Sequence, residues 1–173
     1  MEIKIIDETN KSDVKLKNDP FKIYGQMIPS LMCGKWNYEI KTFAETFEMC
    51  FPDEDYDFNS MKDNTVFIGA YIDDKCVGLA LLQDQMFKYM YLYDLKVSAS
   101  HRHSGVGTAL IEKAKEVAAS HGYRGIYTVG QDNNLSACKF YIKSGFCIGG
   151  FDNRVYTGTS QEGKADILFY LDC

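Results

Sequence analysis

The sequence has 173 residues, of which 46% are hydrophobic and 25% are charged, a composition typical of a globular domain with its own core. The formal net charge of −5 argues against nucleic-acid binding, which needs a basic surface. Six scattered cysteines form no C-x-x-C pair, so neither a disulfide scaffold nor a metal site is predicted. The sequence shows no signal peptide and no apolar run that could cross a membrane, so we expect a cytoplasmic protein without a membrane partner.

The first third of the chain predicts one strand followed by a mixture of irregular and helical segments. Residues 2–7 form a short segment rich in β-branched side chains, which favours a strand. The polar residues 8–20 predict a connection. Residues 21–36 are aromatic and interrupted by glycine and proline, so we expect short helical turns or irregular structure. Aromatic residues in 37–51 recur near helical spacing and predict a helix, and the acidic residues 52–64 predict a loop.

From residue 65 the pattern is that of strands and helices in turn. Residues 65–72 and 76–83 are rich in strand formers and flank a polar turn, which predicts a hairpin. Residues 88–97 predict a third strand, central in its sheet because it is almost continuously apolar. Apolar residues spaced three or four apart from Val106 to Val117 predict an amphipathic helix.

The last part of the chain completes a mixed architecture. Residues 125–130 predict a strand, and residues 133–145 predict a helix with asparagine at its N-cap and glycine after its end. Residues 146–151 and 165–171 predict two further strands. This order is typical of an α/β fold of the α+β kind with a mixed sheet, and the lack of repeats or linkers predicts one domain over residues 1–173.

The junction between the third strand of that series and the next helix has the features of an anion site. It consists of Arg102-His103-Ser104-Gly105-Val106-Gly107-Thr108. Helix N-termini carry N–H groups without a helical partner, and these bind anions. Glycines let a phosphate approach the backbone, and arginine adds a permanent cation. The segment lacks the G-x-G-x-x-G and G-K-[ST] patterns. It therefore predicts a pyrophosphate cradle, although a plain turn would also explain two glycines.

This junction resembles the Q/R-x-x-G-x-G/A signature of the GNAT superfamily of acetyl-CoA-dependent N-acetyltransferases. Residues 133–146 resemble the family's N-x-x-A-x-x-x-Y-x-x-x-G-F helix, with Asn134, Tyr141 and Gly145 in step. The resemblance implies the GNAT fold, a central mixed and mostly antiparallel sheet flanked by helices. It also implies an acetyl-CoA-binding core over residues 91–151.

Further segments resemble the streptothricin acetyltransferases, in the same order along the chain. They include residues 21–29, 34–43, 73–78, 128–141 and 164–171. Those enzymes acetylate an amine on the β-lysine portion of streptothricin-type antibiotics. The resemblance therefore implies acetyl transfer to a primary amine of a cationic small molecule, which would give antibiotic resistance.

The resemblance also implies which residues would hold acetyl-CoA. Backbone N–H groups over 103–108 would bind the pyrophosphate, and Arg102 would neutralise a phosphate or form a surface ion pair. Leu95, Lys96 and Val97 would offer their backbone to the pantetheine arm, as an added strand does at a sheet edge.

Three further roles are implied, each with an alternative. Asn134 would bond the cofactor, cap its helix, or both. Tyr141 would contact CoA and protonate the leaving thiolate, since a tyrosine hydroxyl ordinarily keeps its proton at neutral pH, or it is a core aromatic. Asp94 is one candidate base, and the other is a water relay in a pocket lined by Tyr91 or Tyr93. Strand alternation separates Asp94 from both tyrosines unless a bulge intervenes.

The substrate side is expected over residues 21–64. Asp53, Glu54 and Asp55 belong to an acidic stretch that would attract a polycation or form a solvated loop. Trp36 and Tyr38 would wall the acceptor site or plug the core. Alternatives to the antibiotic enzyme are a GNAT enzyme acting on a protein, peptide or other amine, and a non-catalytic acyl-CoA-binding module. We expect a monomer or a homodimer.

Overall fold

The computed structural model describes residues 1–173 and contains nine strands and three α-helices. In chain order they are β1 (Glu2–Ile5), β2 (Phe21–Met32), β3 (Lys35–Met49), α1 (Phe58–Met61), β4 (Thr65–Ile72), β5 (Lys75–Gln83), β6 (Tyr89–Val97), α2 (Val106–Ser120), β7 (Gly125–Gln131), α3 (Leu135–Lys143), β8 (Cys147–Asp152) and β9 (Asp166–Asp172). Short 3-10 turns lie at Lys11–Lys15 and Ala99–His101. None of the helices is long and apolar enough to span a lipid bilayer.

The chain divides into two compact units. The first consists of Met1–Pro20, Cys50–Ile126 and Asp172–Cys173, and the second of Phe21–Met49 and Tyr127–Leu171. In the first unit β1, β4, β5 and β6 pair in the order β1-β4-β5-β6, each pair antiparallel. The predicted hairpin and third strand, at 65–72, 76–83 and 88–97, are therefore confirmed.

Helix α2 forms the other layer of the first unit. Its buried positions recur at helical spacing: Val106, Leu110, Ile111, Ala114, Val117 and Ala118. This apolar stripe packs on β4, β5 and β6, and β5 is buried over most of its length. The predicted amphipathic helix is confirmed, and its packing fixes the N-terminus of α2 next to the end of β6.

Two predictions for the N-terminal third are wrong. The sequence predicts irregular structure over residues 21–36 and a helix over residues 37–51, but β2 and β3 form one long antiparallel hairpin in the second unit. Met32 pairs with Lys35, and the two residues between them both have positive φ, 51° and 77°. That is the geometry of a two-residue type I′ turn, which joins strands tightly.

The second unit also holds α3 and the strand order β7-β9-β8. Asn134 caps α3, because its Oδ1 accepts the Ala137 N–H at 3.3 Å. Gly145 follows the helix with φ of 93°, a left-handed conformation that favours glycine. The predicted helix, its cap and its end are thus confirmed.

Candidate functional site

The loop between β6 and α2 presents unpaired backbone donors at a helix N-terminus. Gly105 is the N-cap residue with φ of 90°, and no side chain caps the helix. The Ala109 N–H donates to the Gly105 carbonyl at 3.0 Å, so the N–H groups of Val106, Gly107 and Thr108 precede the first helical bond. A Cβ at Gly105 would meet no atom within 4 Å. The loop is therefore open, and its donors suit an anion.

Arg102 fixes this loop by hydrogen bonds to backbone carbonyls elsewhere in the first unit. Its Nε donates to the Val97 carbonyl at 3.2 Å, and its two terminal nitrogens donate to the carbonyls of Pro20 at 2.6 Å and Asp19 at 3.0 Å. The Asp19 carboxylate in turn accepts the Ala99 N–H at 2.7 Å. The surface ion pair considered for Arg102 is not formed. The guanidinium joins the end of β6 to the segment before β2, and it leaves a positive charge beside the loop.

A β-bulge in β6 changes which side chains share a face. Tyr91 pairs with Gln83, Leu92 with Leu82, and Asp94 with Leu81, so Tyr93 is the extra residue. The regular alternation expected for this strand is therefore wrong at Tyr93. Because Gln83 and Leu81 lie on one face of β5, their partners Tyr91 and Asp94 lie on one face of β6. Tyr91 and Asp94 can therefore serve one site.

Asp94 belongs to a cluster that the sequence did not predict. Lys96 Nζ lies 3.1 Å from Asp94 Oδ2 and 2.6 Å from Glu54 Oε2. The Tyr56 hydroxyl donates to Asp94 Oδ2 at 3.1 Å, and its ring lies 5.2 Å from the Lys96 ammonium. The ring of Tyr93 stacks edge-on against Tyr56 at 6.3 Å and against Tyr91 at 5.6 Å. Two carboxylates, one ammonium and three tyrosines thus lie close together at this part of β6, and we call them the cluster on β6.

Burial and charge shift the acidities within this cluster. The side chains of Lys96 and Asp94 are 9% and 18% exposed, and burial raises the pKa of Asp94 although Lys96 opposes the change. Burial opposes the charged form of Lys96, but Asp94 and Glu54 outweigh it and raise the pKa of the ammonium. Burial first and Asp94 second raise the pKa of Tyr56. Asp94 therefore holds its proton more tightly than an ordinary aspartate, which suits a base that works near neutral pH.

The acidic stretch that was expected to face the substrate is bonded within the first unit. Asp53 accepts the Asn18 N–H at 2.8 Å, and Asp55 forms an exposed ion pair with Lys15 at 3.2 Å. Glu54 binds Lys96 and also accepts from the Asn18 amide at 2.9 Å. These carboxylates fasten the loop to its surroundings, so only part of their charge is available to a cation.

The second unit holds the other predicted residues. Tyr141 is 8% exposed, with its ring 5.4 Å from Phe146 and 5.3 Å from Phe169, so its ring packs in the core, as one of its two predicted roles requires. Trp36 and Tyr38 lie on β3, where Tyr38 is 41% exposed. Tyr38 therefore does not plug a core, and its exposed ring remains free to meet a ligand.

The chain matches the model of the acetyltransferase (GNAT) family over residues 35–146. It belongs to the GNAT family. Streptothricin acetyltransferase A of Bacillus subtilis is 31% identical over 163 residues, which cover 93% of this chain and 94% of that protein. A streptothricin acetyltransferase of Escherichia coli is 34% identical over 114 residues, 66% of this chain and 65% of that one. A Bacillus anthracis protein in complex with acetyl coenzyme A has a TM-score of 0.90 at 28% identity and covers 99% of each chain.

Membership of the GNAT family confirms the predicted fold, a mixed sheet flanked by helices, and the predicted cofactor, acetyl-CoA. The chain is an acetyl-CoA-dependent N-acetyltransferase. The structure fits that cofactor in one specific respect: the uncapped N-terminus of α2 is open at Gly105 and presents N–H donors to a diphosphate. The sequence placed this loop correctly between β6 and α2, its role in diphosphate binding stays a prediction, and the sequence missed the side chains of Tyr56 and Lys96. A charged residue within the apolar strand β6 was the available signal for Lys96.

Proposed function

We propose that this enzyme acetylates a primary amine of a cationic small molecule, a streptothricin-type antibiotic at its β-lysine amine, and so gives resistance. The observation that carries the proposal is the similarity to Streptothricin acetyltransferase A over almost the full length of both chains. The cluster on β6 supports it, because two carboxylates face one ammonium and leave a net negative charge beside exposed aromatic surface. Such surroundings favour a cationic amine.

Acetyl-CoA supplies the activated acetyl thioester, and we propose that the loop before α2 holds its diphosphate. N–H groups from His103 to Thr108 would donate to the phosphates, with the charge of Arg102 beside them. The backbone of Leu95, Lys96 and Val97 would pair with the pantetheine arm. Asn134 would add a cofactor contact while it caps α3.

We propose Asp94 as the base that removes a proton from the acceptor ammonium. Tyr56 and Lys96 both contact its Oδ2, and Oδ1 is the oxygen that would take the proton. An alkylammonium has an ordinary pKa of about 10.4, so its deprotonation is a real barrier at neutral pH. The rival is a water relay lined by Tyr91 and Tyr93. Tyr141 would donate its hydroxyl proton to the leaving sulfur.

We propose that Tyr91, Tyr93 and Glu54 contact the acceptor. Tyr91 lies on the same face of β6 as Asp94, Tyr93 packs on Tyr56, and Glu54 shares Lys96 with Asp94. It stays a prediction that the acceptor contacts Trp36, Tyr38, Asp53 and Asp55. The prediction is weaker for the two aspartates, because their carboxylates already bond other residues. The single domain over 1–173, the cytoplasmic location and the monomer or homodimer also stay predictions.

The proposal is tested with a panel of amines, measured by thiol release from acetyl-CoA. The panel contains a streptothricin, free β-lysine, an aminoglycoside and a lysine-containing peptide. We expect the streptothricin to give the highest kcat/KM and mass spectrometry to place the acetyl group on its β-lysine portion. A peptide as the best acceptor would replace the proposal with the protein-acetylating alternative. If acetyl-CoA binds but no amine in the panel causes thiol release, a non-catalytic acyl-CoA-binding module would be favoured.

A further inference from the structure

We propose that Lys96 is a positioning residue for acetyl transfer, whose side-chain ammonium holds Asp94 and Glu54 in place and keeps Asp94 ready to accept a proton. The inference rests on the proposed function, because Asp94 matters to catalysis only if it is the base. It assigns a role to the Lys96 side chain that is separate from the backbone contact proposed for that residue.

The contacts show Lys96 at the centre of the cluster. Its nitrogen touches one oxygen of each carboxylate, at 2.6 Å to Glu54 and 3.1 Å to Asp94, and it lies over the Tyr56 ring at 5.2 Å. With 9% of its side chain exposed, Lys96 is far less free than the other lysines in ion pairs of the first unit, such as Lys62 at 43%. A lysine held at three points, of which Asp94 and Tyr56 are largely buried, fixes the geometry of its partners.

The charges around Asp94 leave this task to Lys96 alone. The groups that face Asp94 are Lys96 on the same strand, and Glu54 and Tyr56 on the loop before α1, with Tyr93 beside Tyr56. Glu54 raises the pKa of Asp94, Tyr56 donates a hydrogen bond to it, and Lys96 supplies the positive charge. Another lysine, Lys15, contacts the same loop, but it pairs with the exposed Asp55 and not with Asp94.

Loss of the ammonium should therefore change the ionisation of Asp94 in a known direction. Burial and Glu54 both favour the protonated form, so Lys96→Met leaves two carboxylates together without a counter-charge. A neighbouring opposite charge lowers the pKa of a carboxyl by about one to three pH units. The pKa of Asp94 should rise by that amount in Lys96→Met, and the acidic limb of kcat/KM should move to higher pH by the same amount.

The experiment follows Asp94 directly and needs no substrate. The side-chain carboxyl carbon of Asp94 is titrated by NMR in the wild type, Lys96→Met and Lys96→Arg, with Asp94→Asn to assign the resonance. Lys62→Met is the matched control, because it removes one positive charge and one ion pair, to Glu8 at 2.7 Å, away from β6. Thermal unfolding establishes that each variant is folded at the titration temperature.

We expect the raised Asp94 pKa in Lys96→Met only, with most of the change reversed in Lys96→Arg and none in Lys62→Met. An unchanged Asp94 pKa in Lys96→Met would overturn the inference, as would an equal change in Lys62→Met. If Lys96→Met does not fold, Lys96→Gln is titrated in its place. The pH profile of acetyl transfer is then measured. A wild type that acetylates no amine refutes the proposed function, whereas an acidic limb that does not follow the titration refutes the role of Lys96.

Discussion

Gly105 is the position at which the diphosphate cradle can be tested most sharply. Its φ of 90° lies in the left-handed region, and an added Cβ would meet nothing within 4 Å. A side chain at this position therefore adds backbone strain without a clash. The left-handed conformation costs an L-residue about 1–2 kcal/mol, and the stiffer unfolded chain of alanine offsets about 0.4–1 kcal/mol of that. The net cost of Gly105→Ala is thus about 1 kcal/mol.

Gly122 provides a matched control for that cost. It has φ of 79°, a Cβ added there would also meet no atom within 4 Å, and it follows the opposite end of α2, about 22 Å away along a 15-residue helix. For a chain of this length 1 kcal/mol shifts Tm by about 2–4 °C. Gly105→Ala and Gly122→Ala should therefore lower Tm about equally, as measured by calorimetry.

An added negative charge should affect acetyl-CoA binding at Gly105 but not at Gly122. Gly105→Asp and Gly105→Asn have the same shape, but only the carboxylate repels a diphosphate. We expect Gly105→Asp to weaken acetyl-CoA binding about 10- to 100-fold relative to Gly105→Asn, or about 1.4–2.7 kcal/mol. Isothermal titration calorimetry with acetyl-CoA measures this ratio, and Gly122→Asp should bind like the wild type. Equal affinity in Gly105→Asp and Gly105→Asn would show that the diphosphate lies elsewhere.

Three further outcomes follow from the site. Tyr141→Phe should lower kcat at least tenfold with little change in the Kd of acetyl-CoA, and wild-type turnover would remove Tyr141 as the acid. Arg102→Met breaks three hydrogen bonds to carbonyls and should cost about 1–3 kcal/mol of stability, seen in urea unfolding; an unchanged midpoint would contradict the bracing role. Burial raises the pKa of Asp94, and its ionised form is the active one, so kcat/KM should fall as pH drops through that raised pKa. Asp94→Asn should remove this limb and most of the activity, whereas an unchanged pH profile would favour the water relay.

Strands β4 to β6 and helices α2 and α3 were predictable because burial leaves a clear pattern in their sequences, whereas the four-residue helix α1 lies where a loop was predicted. Strand β5 is apolar from Cys76 to Leu82, and α2 repeats apolar residues at helical spacing, since each faces a core. The loop before α2 was predictable for another reason. Its glycines and arginine are needed by local geometry and charge, which a short motif can express.

The hairpin of β2 and β3 was not predictable in the same way. Almost all side chains of β3 are exposed, so no core face imposed a two-residue alternation, and the aromatic residues fell near helical spacing by coincidence. Cys33 and Gly34 were the available signal, because a glycine ending a two-residue turn joins two strands. Taken as a mere interruption, that glycine concealed the hairpin.

The cluster around Asp94 lay beyond the sequence for a physical reason. The bulge at Tyr93 depends on how β6 pairs with β5, and the contact between Lys96 and Glu54 joins residues 42 positions apart. Neither leaves a local pattern. The sequence could name Asp94 as a candidate base, but only the tertiary structure shows what surrounds its carboxylate.

The brace at Arg102 makes the diphosphate loop depend on a distant part of the chain. Its guanidinium bonds carbonyls 82 and 83 positions earlier in sequence, at Pro20 and Asp19. The loop is therefore shaped before any ligand arrives, and ordering it adds little entropic cost to association. Shortening the protein to start at Phe21 would remove neither a donor of the loop nor a residue of α2. It would nevertheless remove the carbonyls of Asp19 and Pro20, which hold Arg102, and with them the contacts that orient the N–H donors of the loop.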